Sequence, residues 1–200
     1  MKLISVRAGA LLAVLLAGLP ATSAIAAPAC TPEGKPILQL RIVASEIITA
    51  DRVLSIAVHD NDCVSLHLPD YYVRSGDHVV ALKPQERAAL EHLGRIQRQQ
   101  PYSHSAMLEA AAELDARRAA GETELFAVVG ADYVELSTRG VAEAEATTSR
   151  ALGLFQYAQR YPQIGSLQAF AGIAQALLAI SKREDLVAAG SNASQPEGVR

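Results

Sequence analysis

The sequence predicts an α+β domain, because strand-like and helix-like segments come in blocks and do not alternate one by one. Between Leu38 and Leu82 apolar residues mostly recur every second position, the period of a strand with one buried face. From Pro84 onward they recur mainly every third or fourth position, the period of a helix with one buried stripe. The two cysteines, Cys30 and Cys63, bracket the first strands and suit a single disulfide. The expected architecture is a small, mostly antiparallel sheet of about five or six strands in two blocks, packed against about four helices.

Residues 1–26 read as an export signal. Lys2 and Arg7 give a basic start, Ala8 to Leu19 is an uncharged apolar run, and Pro20 breaks it. Small residues follow, with Ala24 and Ala26 as the pair before the cut. The run is shorter than the roughly 20 residues that a membrane-spanning helix needs. Cleavage after Ala26 leaves residues 27–200, with a single domain expected over 27–186. Residues 27–36 form an extended lead-in rich in Pro and turn-formers.

Four strands are expected next. Leu38, Leu40 and Ile42 alternate with Gln39 and Arg41; Leu54, Ile56 and Val58 mark a second strand over about 52–58. His59-Asp60-Asn61-Asp62 is turn chemistry, since Asp and Asn bond their own backbone and tolerate left-handed conformations. Val64, Leu66 and Leu68 point inward from a third strand over 63–68, so these two strands read as a hairpin. Ser75-Gly76-Asp77 then turns the chain into a fourth strand over 78–82.

Pro84 opens the first helix, where its missing donor has no partner to lose. Leu90, Leu93 and Ile96 are its expected stripe, and Pro101 ends it. A second helix is expected over about 105–120, with Met107, Ala111 and Leu114 on one face and Gly121 as its stop. Residues 124–129 and 132–138 suggest another hairpin around Gly130-Ala131. Gly140 introduces an Ala-rich segment expected to be helical from about Val141 to Tyr161. In the last helix, capped by Ser166, Leu167, Phe170, Ala171, Ala174, Leu177 and Leu178 share one face. Residues 187–200 are small and polar and are expected to form a disordered tail.

Composition excludes several functions. Loss of Lys2 and Arg7 leaves 16 of the 18 basic residues against 21 acidic ones, a net charge of −5. The basic residues are dispersed, so nucleic acid and anionic lipid are poor partners, and no later segment is apolar for long enough to insert in a membrane. There is no Trp and only three Phe, so aromatic platforms for stacking bases or sugars are not expected. No Gly-rich phosphate loop, C-x-x-C or G-x-S-x-G occurs, and no cofactor is called for.

Three neighbourhoods carry chemistry-bearing side chains. His59, His67 and His78, with nearby carboxylates, are the weak alternative for a metal site, although His67 and His78 fall on opposite strand faces. Ser65 and His67 stand two apart on one face, a hydroxyl beside an imidazole with no evident third group. Tyr71, Tyr72 and Arg74 lie in one loop, and Tyr157, Arg160 and Tyr161 close a helix. Tyr and Arg dominate protein-binding hot spots, because each joins large contact area to a directional polar tip. The functional expectation is an exported, periplasmic protein-binding module of the inhibitor or immunity type. The alternatives are a hydrolase or metal-dependent enzyme built on the His59–His78 region, and a structural envelope component.

Overall fold

One central strand, β1 (Pro36–Val43), gathers the strands into a single sheet, because it pairs on both edges. In the computed structural model, which describes residues 30–118, 128, 130–140 and 145–189, the sheet has seven strands. The others are β2 (Val53–His59), β3 (Cys63–Leu68), β4 (Gly76–Ala81), β5 (Tyr133–Thr138), β6 (Thr147–Leu152) and β7 (Val187–Ala188). Their order is β6-β5-β1-β2-β3-β4-β7, with every neighbour antiparallel. The helices are α1 (Pro84–Gln99), α2 (His104–Arg118), α3 (Leu154–Arg160) and α4 (Gly165–Ser181). The α+β class and the four-strand meander agree with the sequence pattern, and the strand total slightly exceeds the five or six expected.

Alternation decides which face the helices cover. Leu38, Leu40, Ile42, Leu54, Ile56, Val58, Val64, Leu66, Val134 and Leu136 all point to one side and are buried. Against them pack Leu90 of α1, Met107 and Ala111 of α2, and the Leu167, Phe170, Ala171, Ala174 and Leu177 stripe of α4. Removing an aliphatic side chain from water contributes about 1.5–3 kcal/mol, so this face supplies most of the drive to fold. In α1 the buried positions are Leu90, Gly94 and Gln97, while Ile96 is only half-buried. Gln97 is tolerated inside because its amide donates to Ser149 Oγ at 2.8 Å.

Three expectations are corrected. Residues 147–152 are strand β6, not part of a long helix from Val141. The sheet edge offered by β5 outweighs the helix preference of alanine, and Ser149 and Ala151 take the inward positions. Gly153, at φ 67°, then turns the chain into the short α3; a Cβ there would clash with Val128 Cγ1. Strand β5 thus lies between β1 and β6, and residues 124–127 and 129 of the expected hairpin lie outside the described residues. Ser166 does not cap α4; Ile164 holds that position with no side-chain cap bond. Finally, Val187 and Ala188 belong to the sheet, pairing with Val79 and His78, so the domain runs past the expected boundary at 186. Residues 1–29, which include the expected signal segment, and residues 190–200 lie outside the described residues.

Cys30 and Cys63 are joined, with their Cα atoms 5.6 Å apart. The bond ties the lead-in to the first residue of β3, and Asn61 Nδ2 adds a 2.8 Å hydrogen bond to the Thr31 carbonyl. Because the closed loop restricts the unfolded chain, Cys30→Ala should lower the unfolding free energy by about 3–4 kcal/mol. Urea titrations of the variant and the oxidised wild type measure this directly, and an unchanged midpoint would show that the lead-in contributes nothing.

Candidate functional site

The outer face of the sheet, opposite the helices, carries a polar network. Ser55, Ala57 and His59 of β2 point outward, as do Cys63, Ser65 and His67 of β3 and Asp77 and Val79 of β4. Cross-strand register sets their neighbours: Ser55 faces His67, Ala57 faces Ser65, and His67 faces Asp77. A concavity of about 450 Å³ lies here, with Cys30, Thr31, Ser65, His67, Asp77 and Ala189 among its walls.

His67 sits between two carboxylates. Its Nδ1 donates to Asp77 Oδ1 at 2.7 Å, and its Nε2 lies 3.2 Å from both Asp51 oxygens. Each ring nitrogen thus has an acceptor, an arrangement that suits the doubly protonated ring. The hydrogen bond to Asp77, then that to Asp51, holds its pKa above the ordinary value of 6.5. His67 accordingly clamps β3, β4 and the β1–β2 connection together, most firmly when its ring is doubly protonated.

Ser65 does not partner His67. Its hydroxyl lies 3.0 Å from His59 Nε2, and His59 Nδ1 lies 3.2 Å from the Glu33 carbonyl. A carbonyl only accepts, so Nδ1 carries the proton, and in the neutral ring Nε2 accepts from Ser65. His59 is buried beneath the lead-in, while Ser65 is half-buried at the cavity wall. Sequence reading missed this pair. The signal was the hairpin register: Ala57 faces Ser65, and His59 reaches it on the diagonal from the same face. The third group, a main-chain carbonyl from residue 33, has no sequence signature at all.

The histidines do not converge. His59 and His67 are on the outer face, whereas His78 lies opposite Leu66 on the helix-covered face, with Nε2 donating to the Arg74 carbonyl at 3.1 Å. Among the described residues no group of three or more His, Cys, Asp or Glu is arranged to hold a metal ion. The metal alternative from His59, His67 and His78 is corrected on this ground, because strand alternation separates the third ligand from the other two.

The two tyrosine clusters have different surroundings. Tyr71 is 40% exposed at the tip of the β3–β4 connection and packs on half-buried Tyr72, ring centres 5.1 Å apart. Burial raises both phenol pKa values. Arg74 is committed to the fold: its guanidinium donates to the carbonyls of Arg183 and Glu184 beyond α4. Tyr161 is 2% exposed, and its hydroxyl donates to Asp115 Oδ2 at 2.7 Å. Arg160 pairs with the same carboxylate at 3.5 Å, and Tyr157 stacks on Tyr161 at 6.3 Å. Tyr157, Arg160 and Tyr161 therefore pin α3 to α2, while Tyr71 presents a ring to solvent.

Comparison with known proteins finds no matching family model, no matching curated protein and no matching solved structure.

The His67 clamp gives a pH signature. A raised folded-state pKa means its stabilising contribution is complete below pH 6.5 and is lost as pH rises through the folded value. The wild-type melting temperature should therefore fall relative to that of His67→Gln as pH goes from 6 toward 8. Parallel scans across that range test it; two curves that stay a constant distance apart would remove the clamp.

Proposed function

We propose that the chain is an exported protein-binding module of the inhibitor or immunity type, working in the periplasm. Its contact surface is the end of the sheet formed by the β1–β2 and β3–β4 connections and the β5–β6 strand ends. The observation that carries this reading is the placement of exposed apolar side chains. Six large ones are exposed among the described residues: Ile48, Tyr71, Val73, Leu108, Tyr133 and Leu152. All but Leu108 lie at that end, because in an antiparallel meander alternate connections emerge on the same side. Ile48 and Val73 are fully exposed at loop tips, and Tyr133 faces Leu152 across β5 and β6.

Solvent-exposed apolar residues cost nothing when scattered, but gathered at one end they mark a contact surface. With neighbouring strands about 4.8 Å apart, the span from β6 to β4 is about 24 Å, the width of an ordinary protein interface. Between the loops lies a concavity of about 360 Å³ with Ile47, Tyr71, Tyr72, Asp132 and Phe155 in its walls, able to take an anchoring side chain. Glu46, Asp70 and Asp132 are exposed around it, so the surface suits a partner that is apolar at its centre and basic at its rim. Export is supported by the leader grammar of residues 1–26 and by the Cys30–Cys63 bond, which persists in an oxidising compartment. Among the described residues no helix is long and apolar enough to cross a membrane.

Periplasmic protein should begin at Ala27 by mass. Immobilised in envelope extract, it should retain one partner, bound at least tenfold more weakly by the Ile48→Asp, Val73→Asp double variant. Both substitutions are at exposed positions, so the unfolding free energy should move by no more than about 0.5 kcal/mol each. Equal retention by the variant, or no partner on folded wild type, would refute the reading.

A further inference from the structure

We propose that Ser65 is an acyl-accepting nucleophile, with His59 as its general base and the Glu33 carbonyl orienting the imidazole. The site is independent of the apolar end of the sheet. Nucleophilic hydroxyls need a base within hydrogen-bond reach and a third group that fixes the base's tautomer. All three are in place: 3.0 Å from Ser65 Oγ to His59 Nε2, and 3.2 Å from His59 Nδ1 to the Glu33 oxygen. The base is buried and held, while the hydroxyl lies in the wall of a cavity of about 450 Å³, roomy enough for a small substrate.

The lead-in makes the arrangement rigid. Glu33 is held over His59 by the Cys30–Cys63 bond on one side and by Asn61 on the Thr31 carbonyl. The disulfide is thus a positioning element for the base. Charge around the cavity limits the substrate. Asp77 lines the cavity beside His67 and Asp51 lies on the other side of that ring, so two carboxylates flank one imidazole and the cavity favours a neutral or cationic ester over an anionic one.

The step balances within these groups. Ser65 Oγ bonds to the ester carbonyl carbon as its proton passes to His59 Nε2. The tetrahedral adduct collapses, the carbon–oxygen bond to the alcohol breaks, and the leaving oxygen takes that proton from His59. Water then repeats the sequence on the acyl-serine, releasing the acid and restoring both residues.

The test uses the oxidised mature protein with p-nitrophenyl acetate as probe. Intact mass should show one acetyl group, mapped by peptide fragmentation to Ser65 and missing from Ser65→Ala. His59→Gln should slow the acetylation of Ser65 at least tenfold. The anionic p-nitrophenyl hemisuccinate should acylate Ser65 more slowly than the acetate. Acetyl groups found only on lysines, or Ser65 labelled equally fast in folded His59→Gln, would overturn the proposal. Should His59→Gln not fold, the location of the acetyl group on wild type decides alone.

Discussion

Strand β1 is the constraint on which the other elements depend. Both of its edges are occupied, with Leu40 facing Ile56 on one side and Leu136 on the other. That double pairing joins a local meander, β1 to β4, to a hairpin nearly a hundred positions further along the chain. Leu40 is fully buried at this junction, beneath the helices. A slip by one residue would turn Leu38, Leu40 and Ile42 to the outer face and Gln39 and Arg41 into the core. The register of the whole sheet is therefore held by the hydrophobic requirement of one strand.

Once that register is set, the two faces diverge. One is sealed by α4 and its neighbours. The other is covered by none of the described helices, and its polar side chains pair among themselves: Arg41 and Arg150 both reach Glu135, at 3.6 and 2.8 Å, and Ser137 meets Thr148 at 3.1 Å. Exposed pairs of this kind contribute little to stability. The outer-face groups that matter chemically are those that the lead-in covers, where burial and a disulfide hold His59 and Ser65 in one geometry. At the far edge a second electrostatic hub closes the sheet. Arg183, largely buried, donates to Glu86 at 2.7 Å, to Asp185 and to the Ala81 carbonyl. The hydrogen bond from Arg183 holds the Asp185 pKa down to about 2. Its contribution is therefore present above the unfolded carboxylate value of 3.8 and lost as pH falls toward about 2. This hub places β7 against β4.

Similar residues thus serve different ends according to what surrounds them. Tyr71 and Tyr161 are the same side chain, each with an arginine nearby in sequence. Tyr161 is inside and bonded to Asp115, where it fixes a helix; Tyr71 stands at a loop tip beside exposed Val73. His59 and His67 differ in the same way. One has a carbonyl and a hydroxyl as partners, the other two carboxylates, and the carboxylates raise the pKa of the second.

By itself the sequence determined the α+β class, the meander, the inward faces of its strands, the apolar stripe of α4 and the pairing of the two cysteines. These are local matters: residue period reports which side of an element meets the core, and two sulfurs allow one bond. Turn chemistry was legible too, since Asp62 adopts the left-handed backbone, at φ 61°, that its type tolerates. Tertiary structure alone decided that residues 147–152 are a strand, that Val187 and Ala188 complete the sheet, and that Ser65 partners His59. It also brought Asp51 to His67 and gathered five exposed apolar residues at one end. Each depends on which strands pair, in what register, or on contacts between separate segments, and these leave no periodic trace in the sequence.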